Sequence, residues 1–161
     1  MISLIIIVIS IFLDIFLNIN LSVFLFPMFT VCLIITNYLL IKNEVIYFIL
    51  NILLGLFLDI IYIKQFPINT YIFLLLSFIN YHLFLKCGVS YIKTILFTLV
   101  IIFLYDFILF INYAIFNIGV YSITLFLTNF VKSLIINFIY ISFVYYIFKC
   151  QNKSYKNYIK Y

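Results

Sequence analysis

Four side chains of this chain sit where an ionisable group is costly. Asp14 lies in ISLIIIVISIFLDIFLN, Asp59 in ILNILLGLFLDIIYI, Asp106 in IIFLYDFILF and Lys132 in FVKSLIIN. Near the centre of a bilayer each costs at least about 2.5–3.5 kcal/mol on the insertion scale. Each therefore needs a partner, a water-filled setting or, for a carboxyl, a neutral form. Counted at roughly 1.5 Å per residue from the cytoplasmic ends of their helices, the three aspartates fall at about 20 Å, and Lys132, counted from the end of the last helix, at about 24 Å. That places all four in one slab, slightly toward the outer leaflet. Such a slab is either a polar pocket or relay, or a set of contacts that fixes helix packing. Asp106 and Lys132 belong to consecutive helices, so the simplest expectation is an ion pair between them.

Little else in the sequence is equipped for chemistry. Intramembrane catalysis needs a nucleophile with a base, or two acids set together. The single histidine, His82, lies near one end of its apolar run and reads as an interfacial residue. Cys32, Cys87 and Cys150 share no spacing that suits a metal or a disulfide, and read as small apolar fillers or idle thiols. Tyr105-Asp106 resembles the YD half of the membrane aspartyl proteases, but their second motif, GxGD, is absent. Gly55 stands four residues before Asp59, with Leu-Phe-Leu between. No glutamate pair and no phosphate-cradling glycine loop occurs. The expectation is a noncatalytic protein with no cofactor and no metal.

The elements that must position these residues are apolar helices. The chain is 69% hydrophobic and 8% charged, with a mean hydropathy of +1.38. A soluble domain of 161 residues could not hide that much apolar surface. Barrel strands would alternate apolar and polar residues over about ten positions. Here the apolar runs are continuous and about twenty residues long, the length of a membrane helix. Six are marked, at 1–18, 21–41, 45–63, 68–85, 94–116 and 123–148, which predicts an all-α polytopic bundle of six transmembrane helices. The first run has no basic residue ahead of it and no small-residue cleavage site, so it reads as a helix rather than a cleaved signal. The breaks are Asn18 and Asn20, Lys42-Asn43-Glu44, Lys64-Gln65-Phe66-Pro67, Lys86-Cys87-Gly88 and Asn117-Ile118-Gly119. Pro67 sits where it can begin a helix without losing a useful donor. No internal repeat is evident. Asn51, Asn80, Asn112, Asn129 and Asn137 lie within runs, where asparagine can bridge helices for about 1 kcal/mol each.

All basic residues are lysines. Lys42, Lys86, Lys93, Lys149, Lys153, Lys156 and Lys160 share one side of a six-helix layout, and Lys64 stands alone on the other. This bias predicts cytoplasmic termini. The net charge of +5 is concentrated in the tail, residues 149–161, and reads as anchoring on anionic lipid or docking of a cytoplasmic partner, not as nucleic-acid binding.

The stretch Gly55-x-x-x-Asp59, followed by a short turn and another apolar helix, resembles MreD, the rod shape-determining membrane protein family of bacteria. The proline that family places at the start of its second helix is matched by Pro27 in LFPMFTVCLIITNYLL. Its acidic residue in the fifth helix is matched by Asp106 in LYDFILF, and its asparagine in the last helix by Asn137 in SLIINFIYISFVYYIFK. Where many members have a glycine in the turn after the aspartate, this chain has Pro67, which predicts a differently built turn. The resemblance implies a noncatalytic inner-membrane subunit of the cell-wall elongation machinery, with MreC-like, MreB-like and RodA–penicillin-binding-protein-like partners. On this view Gly55 permits close helix approach. Asp59 accepts backbone N–H groups from the Lys64–Ile68 turn or pairs with Lys64.

The substrate-binding S component of an energy-coupling vitamin transporter is the rival reading, because MreD resembles it in helix number and length. That role uses an Ala-x-x-x-Ala surface on the first helix. MISLIIIVISIFLDIFLN contains no alanine.

Overall fold

A computed structural model describes residues 2–21, 28–41, 43–62, 67–116 and 123–158. Its described residues form an all-α protein of helices α1 (Ile2–Leu21), α2 (Phe29–Leu40), α3 (Glu44–Tyr62), α4 (Ile68–Cys87), α5 (Tyr91–Phe116) and α6 (Ile123–Tyr158). Four of them, α3 to α6, are long and apolar enough to cross a membrane. Large apolar side chains point outward throughout. On α6, Val131, Ile135, Ile139 and Phe143, each more than 60% exposed, recur every fourth residue in one stripe. A stripe of that kind is stable in lipid and would drive aggregation in water. This is a membrane protein.

Within 21–41 the helix begins at Phe29 and has 12 residues, about 18 Å of rise against a hydrocarbon core of about 30 Å. This helix is the central one of the described bundle. Every residue from Phe29 to Asn37 is buried, and α2 packs against all five other helices. A helix that is apolar all round belongs in a core. The core around it is built of Leu33, Ile34 and Ile35 of α2, Phe73 and Leu76 of α4, Ile101 of α5 and Ile141 of α6. The remaining contacts are between sequential neighbours, α3 with α4, α4 with α5 and α5 with α6.

Helix starts divide into two kinds. At the starts of α3 and α5 the cap is local. Asn43 Oδ1 accepts the N–H groups of Val45 and Ile46 at 2.9 and 3.2 Å, and Ser90 Oγ accepts the Lys93 N–H at 3.4 Å. Asparagine and serine are standard first choices for that position. At the starts of α2 and α4 the preceding residues are Met28 and Pro67, and neither supplies a side-chain cap. Their exposed N–H groups must be answered from elsewhere. At the other end of α4, Gly88 closes the helix with φ +71° and an N–H bond to Phe84 O at 2.8 Å, a backbone conformation that suits glycine.

Candidate functional site: two aspartates seated on helix starts

The answer at α4 is Asp59, reaching across from α3. Its Oδ1 accepts the Asn69 N–H at 2.8 Å. Its Oδ2 accepts both the N–H and the hydroxyl of Thr70, at 2.9 and 2.6 Å. A carboxylate has the acceptor capacity for all three, and the positive end of the helix dipole favours its charge. Gly55 makes the approach possible. One helical turn before Asp59, it lies so close to α4 that a Cβ added there would meet Thr70 Cα at 2.6 Å and Asn69 O at 2.9 Å. Gly55 and Asp59 thus form one device. The glycine lets the backbones touch, and the aspartate binds the N–H groups brought into reach.

The answer at α2 is Asp14, reaching from α1. Oδ1 accepts the Phe29 N–H at 3.3 Å and Oδ2 the Thr30 N–H at 3.1 Å, and the Thr30 hydroxyl also donates to Oδ2. Asn137 of α6 completes this start, its Oδ1 accepting the Met28 N–H at 3.1 Å. The two arrangements match atom for atom in their threonine contacts, so α1–α2 and α3–α4 are repeats of one structural unit. The sequence carries the repeat after all. Phe12-Leu13-Asp14-Ile15 and Phe57-Leu58-Asp59-Ile60 are the same tetrapeptide, and Phe26-Pro27-x-x-Thr30 answers Phe66-Pro67-x-x-Thr70. Connections of unequal length hide it, with the threonine sixteen residues after Asp14 and eleven after Asp59. The position equivalent to Gly55 is Ser10, whose hydroxyl meets that of Tyr140 at 2.7 Å.

Asp59 binds the start of α4, one residue beyond the turn named from sequence, and Lys64 lies outside the described residues. Pro67 is the residue before α4, and its carbonyl accepts the Tyr71 N–H at 3.4 Å. Pro27 also lies outside the described residues. Asp14 and Asn137 meet at the start of α2. The expected Asp106–Lys132 pair is not formed. Asp106 is 2% exposed and its Oδ2 has no hydrogen-bond partner, while Lys132 is only half-buried. The reason is helical phase. The buried side of α6 runs through Ser133, Asn137, Ile141 and Val144, and one residue earlier in a helix points about 100° away. Asp106 and Lys132 therefore do not meet as a pair, and Asp14 and Asp59 are each occupied at a helix start.

Several polar residues that sequence reasoning passed over belong to the same network. Thr30 and Thr70 are the clearest, and the repeated Pro-x-x-Thr was the available signal. Tyr105 donates to Asn69 Oδ1 at 2.9 Å, tying α5 to the start of α4. Tyr140 meets Ser10 and stacks on Phe29 with ring centroids 4.8 Å apart. No protein-family model, curated protein or solved structure matches this chain.

Proposed function

We propose that this chain is a noncatalytic subunit of the bacterial cell-wall elongation machinery, an MreD-like protein whose helices pack against those of MreC-like and synthase partners beside an MreB-like filament. On this reading it is a multi-pass protein of the inner membrane with both termini in the cytoplasm, as the lysine distribution supports.

One observation carries the reading. Gly55 and Asp59, on which the resemblance to MreD is most specific, act together on the start of α4. Asp14 repeats that role on α2. Carboxylates occupied by backbone donors of their own chain are building elements, and a chain that spends them so is suited to holding a shape for others to dock on. The transporter reading draws its ligand site from Asp14, Asp59, Asp106 and Lys132. The occupation of the first two favours the structural role.

The experiment is depletion of the protein in its host, followed by microscopy and by incorporation of labelled wall precursor. The proposal expects cells to lose their shape and side-wall synthesis to fall. Unchanged shape and wall growth after depletion would contradict it.

A further inference from the structure

Where α2, α3 and α4 meet, three asparagines form a buried polar knot. Asn37, Asn51 and Asn80 are each 0% exposed. Asn37 Nδ2 donates to Asn51 Oδ1 at 2.7 Å. Asn80 Nδ2 donates to the Tyr47 hydroxyl at 3.2 Å and reaches Ile34 O at 3.5 Å. The Tyr47 hydroxyl in turn donates to Ser77 O at 3.0 Å. The Asn51 side chain also lies beside the Tyr47 hydroxyl, which brings it next to Asn80, yet three atoms of the knot complete no hydrogen bond: Asn37 Oδ1, Asn51 Nδ2 and Asn80 Oδ1. Aromatic rings lie over Tyr47 on the side of the α2 C-terminus, with Tyr38 edge-on to Tyr47 at 5.8 Å and stacked on Phe84 at 4.6 Å.

The inventory is specific: two carbonyl oxygens that must receive protons and one amide that must give one. It does not depend on how the amides are turned. Asn80 is fixed, because its partners are a carbonyl and a hydroxyl whose proton is already given to Ser77. Turning Asn37 and Asn51 together exchanges their roles and leaves one amide and two carbonyls as before. A buried polar group without a partner costs about 1–3 kcal/mol, so three together call for an occupant. A metal cation would face the amide's N–H and an anion would face the two carbonyls. A water molecule donates two hydrogen bonds and accepts one or two, and buried waters characteristically make about three.

We propose that Asn37, Asn51 and Asn80 bind one enclosed water molecule, which joins α2, α3 and α4 at the end of the bundle opposite the aspartate caps. The test is a density map of the full chain in a lipid nanodisc, with a rigid antibody fragment bound, at a resolution that resolves waters. The expected result is a single peak within about 2.7–3.2 Å of all three atoms. Two results would overturn the proposal: no peak, with the asparagines bonded directly to one another, or a peak ringed by oxygens alone with the Asn51 amide turned away, as a cation requires.

Discussion

Asp59 on α3 and Thr70 at the start of α4 are joined twice, through the threonine's N–H at 2.9 Å and its hydroxyl at 2.6 Å, both to Oδ2. Replacing Asp59 with leucine would strand the Asn69 and Thr70 donors in an apolar interior. At about 1–3 kcal/mol per stranded group, the loss should reach several kcal/mol and appear as a large fall in the thermal unfolding midpoint in detergent. Asp59→Asn keeps one acceptor and should lose clearly less. Equal stability of the leucine variant and the parent would contradict the assignment.

Gly55 and Gly88 should respond to alanine for different reasons. At Gly55 the new methyl collides with backbone, Thr70 Cα at 2.6 Å, and backbone cannot swing aside. The expected cost is about 1–3 kcal/mol, typical of overpacking, and the Asp59 bonds should be disturbed with it. At Gly88 the added Cβ meets nothing, so only the positive φ is penalised, by about 1–2 kcal/mol. Cross-linking or amide-exchange measurements at Asn69 and Thr70 separate the two, since only Gly55→Ala should increase exchange there.

The matching hydroxyls give a test of the repeat. Thr30→Val and Thr70→Val each remove one hydrogen bond to a carboxylate, worth about 1.5–3 kcal/mol. The two sites share no described hydrogen-bond partner. Their effects on unfolding should therefore add to within about 0.5 kcal/mol. Strong non-additivity would mean the two hairpins are not independent units.

Much of this architecture was legible in the sequence. Composition and run length gave an all-helical membrane protein, and the breaks at Lys86-Cys87-Gly88 and before Ile68 fall where helices end and begin. The close approach at Gly55, expected from the resemblance, is present, and Asp59 bonds the start of α4 just beyond the Lys64–Ile68 turn where its donors were expected. The Asp106–Lys132 pair did not, because opposite charges on adjacent helices meet only if their helical phases agree, and phase in a uniformly apolar helix leaves no mark on composition. The central place of α2 was hidden for a related reason: in lipid, a buried helix and a lipid-facing helix are equally apolar. The repeat of Phe-Leu-Asp-Ile and Phe-Pro-x-x-Thr was present and readable, but its connections differ in length.

Asp106 should behave unlike the other two aspartates. Its Oδ2 meets no hydrogen-bond partner at 2% exposure. Asp106→Asn should leave the unfolding midpoint unchanged or raise it, because removing a poorly satisfied buried carboxyl relieves a cost. Asp14→Asn, in contrast, should lower it, since Asp14 receives N–H groups from Phe29 and Thr30. Parallel melting curves of the two variants decide the matter. A destabilisation by Asp106→Asn as large as that by Asp14→Asn would contradict the distinction.

The central claim is that this chain serves as a membrane packing partner in wall elongation, and affinity purification from native membranes tests it most directly. The tagged full chain would be extracted in mild detergent and its companions identified by mass spectrometry. Co-recovery of MreC-like and RodA–penicillin-binding-protein-like membrane proteins is the predicted result. Recovery instead of a pair of ATPases with a transducing membrane subunit would contradict it.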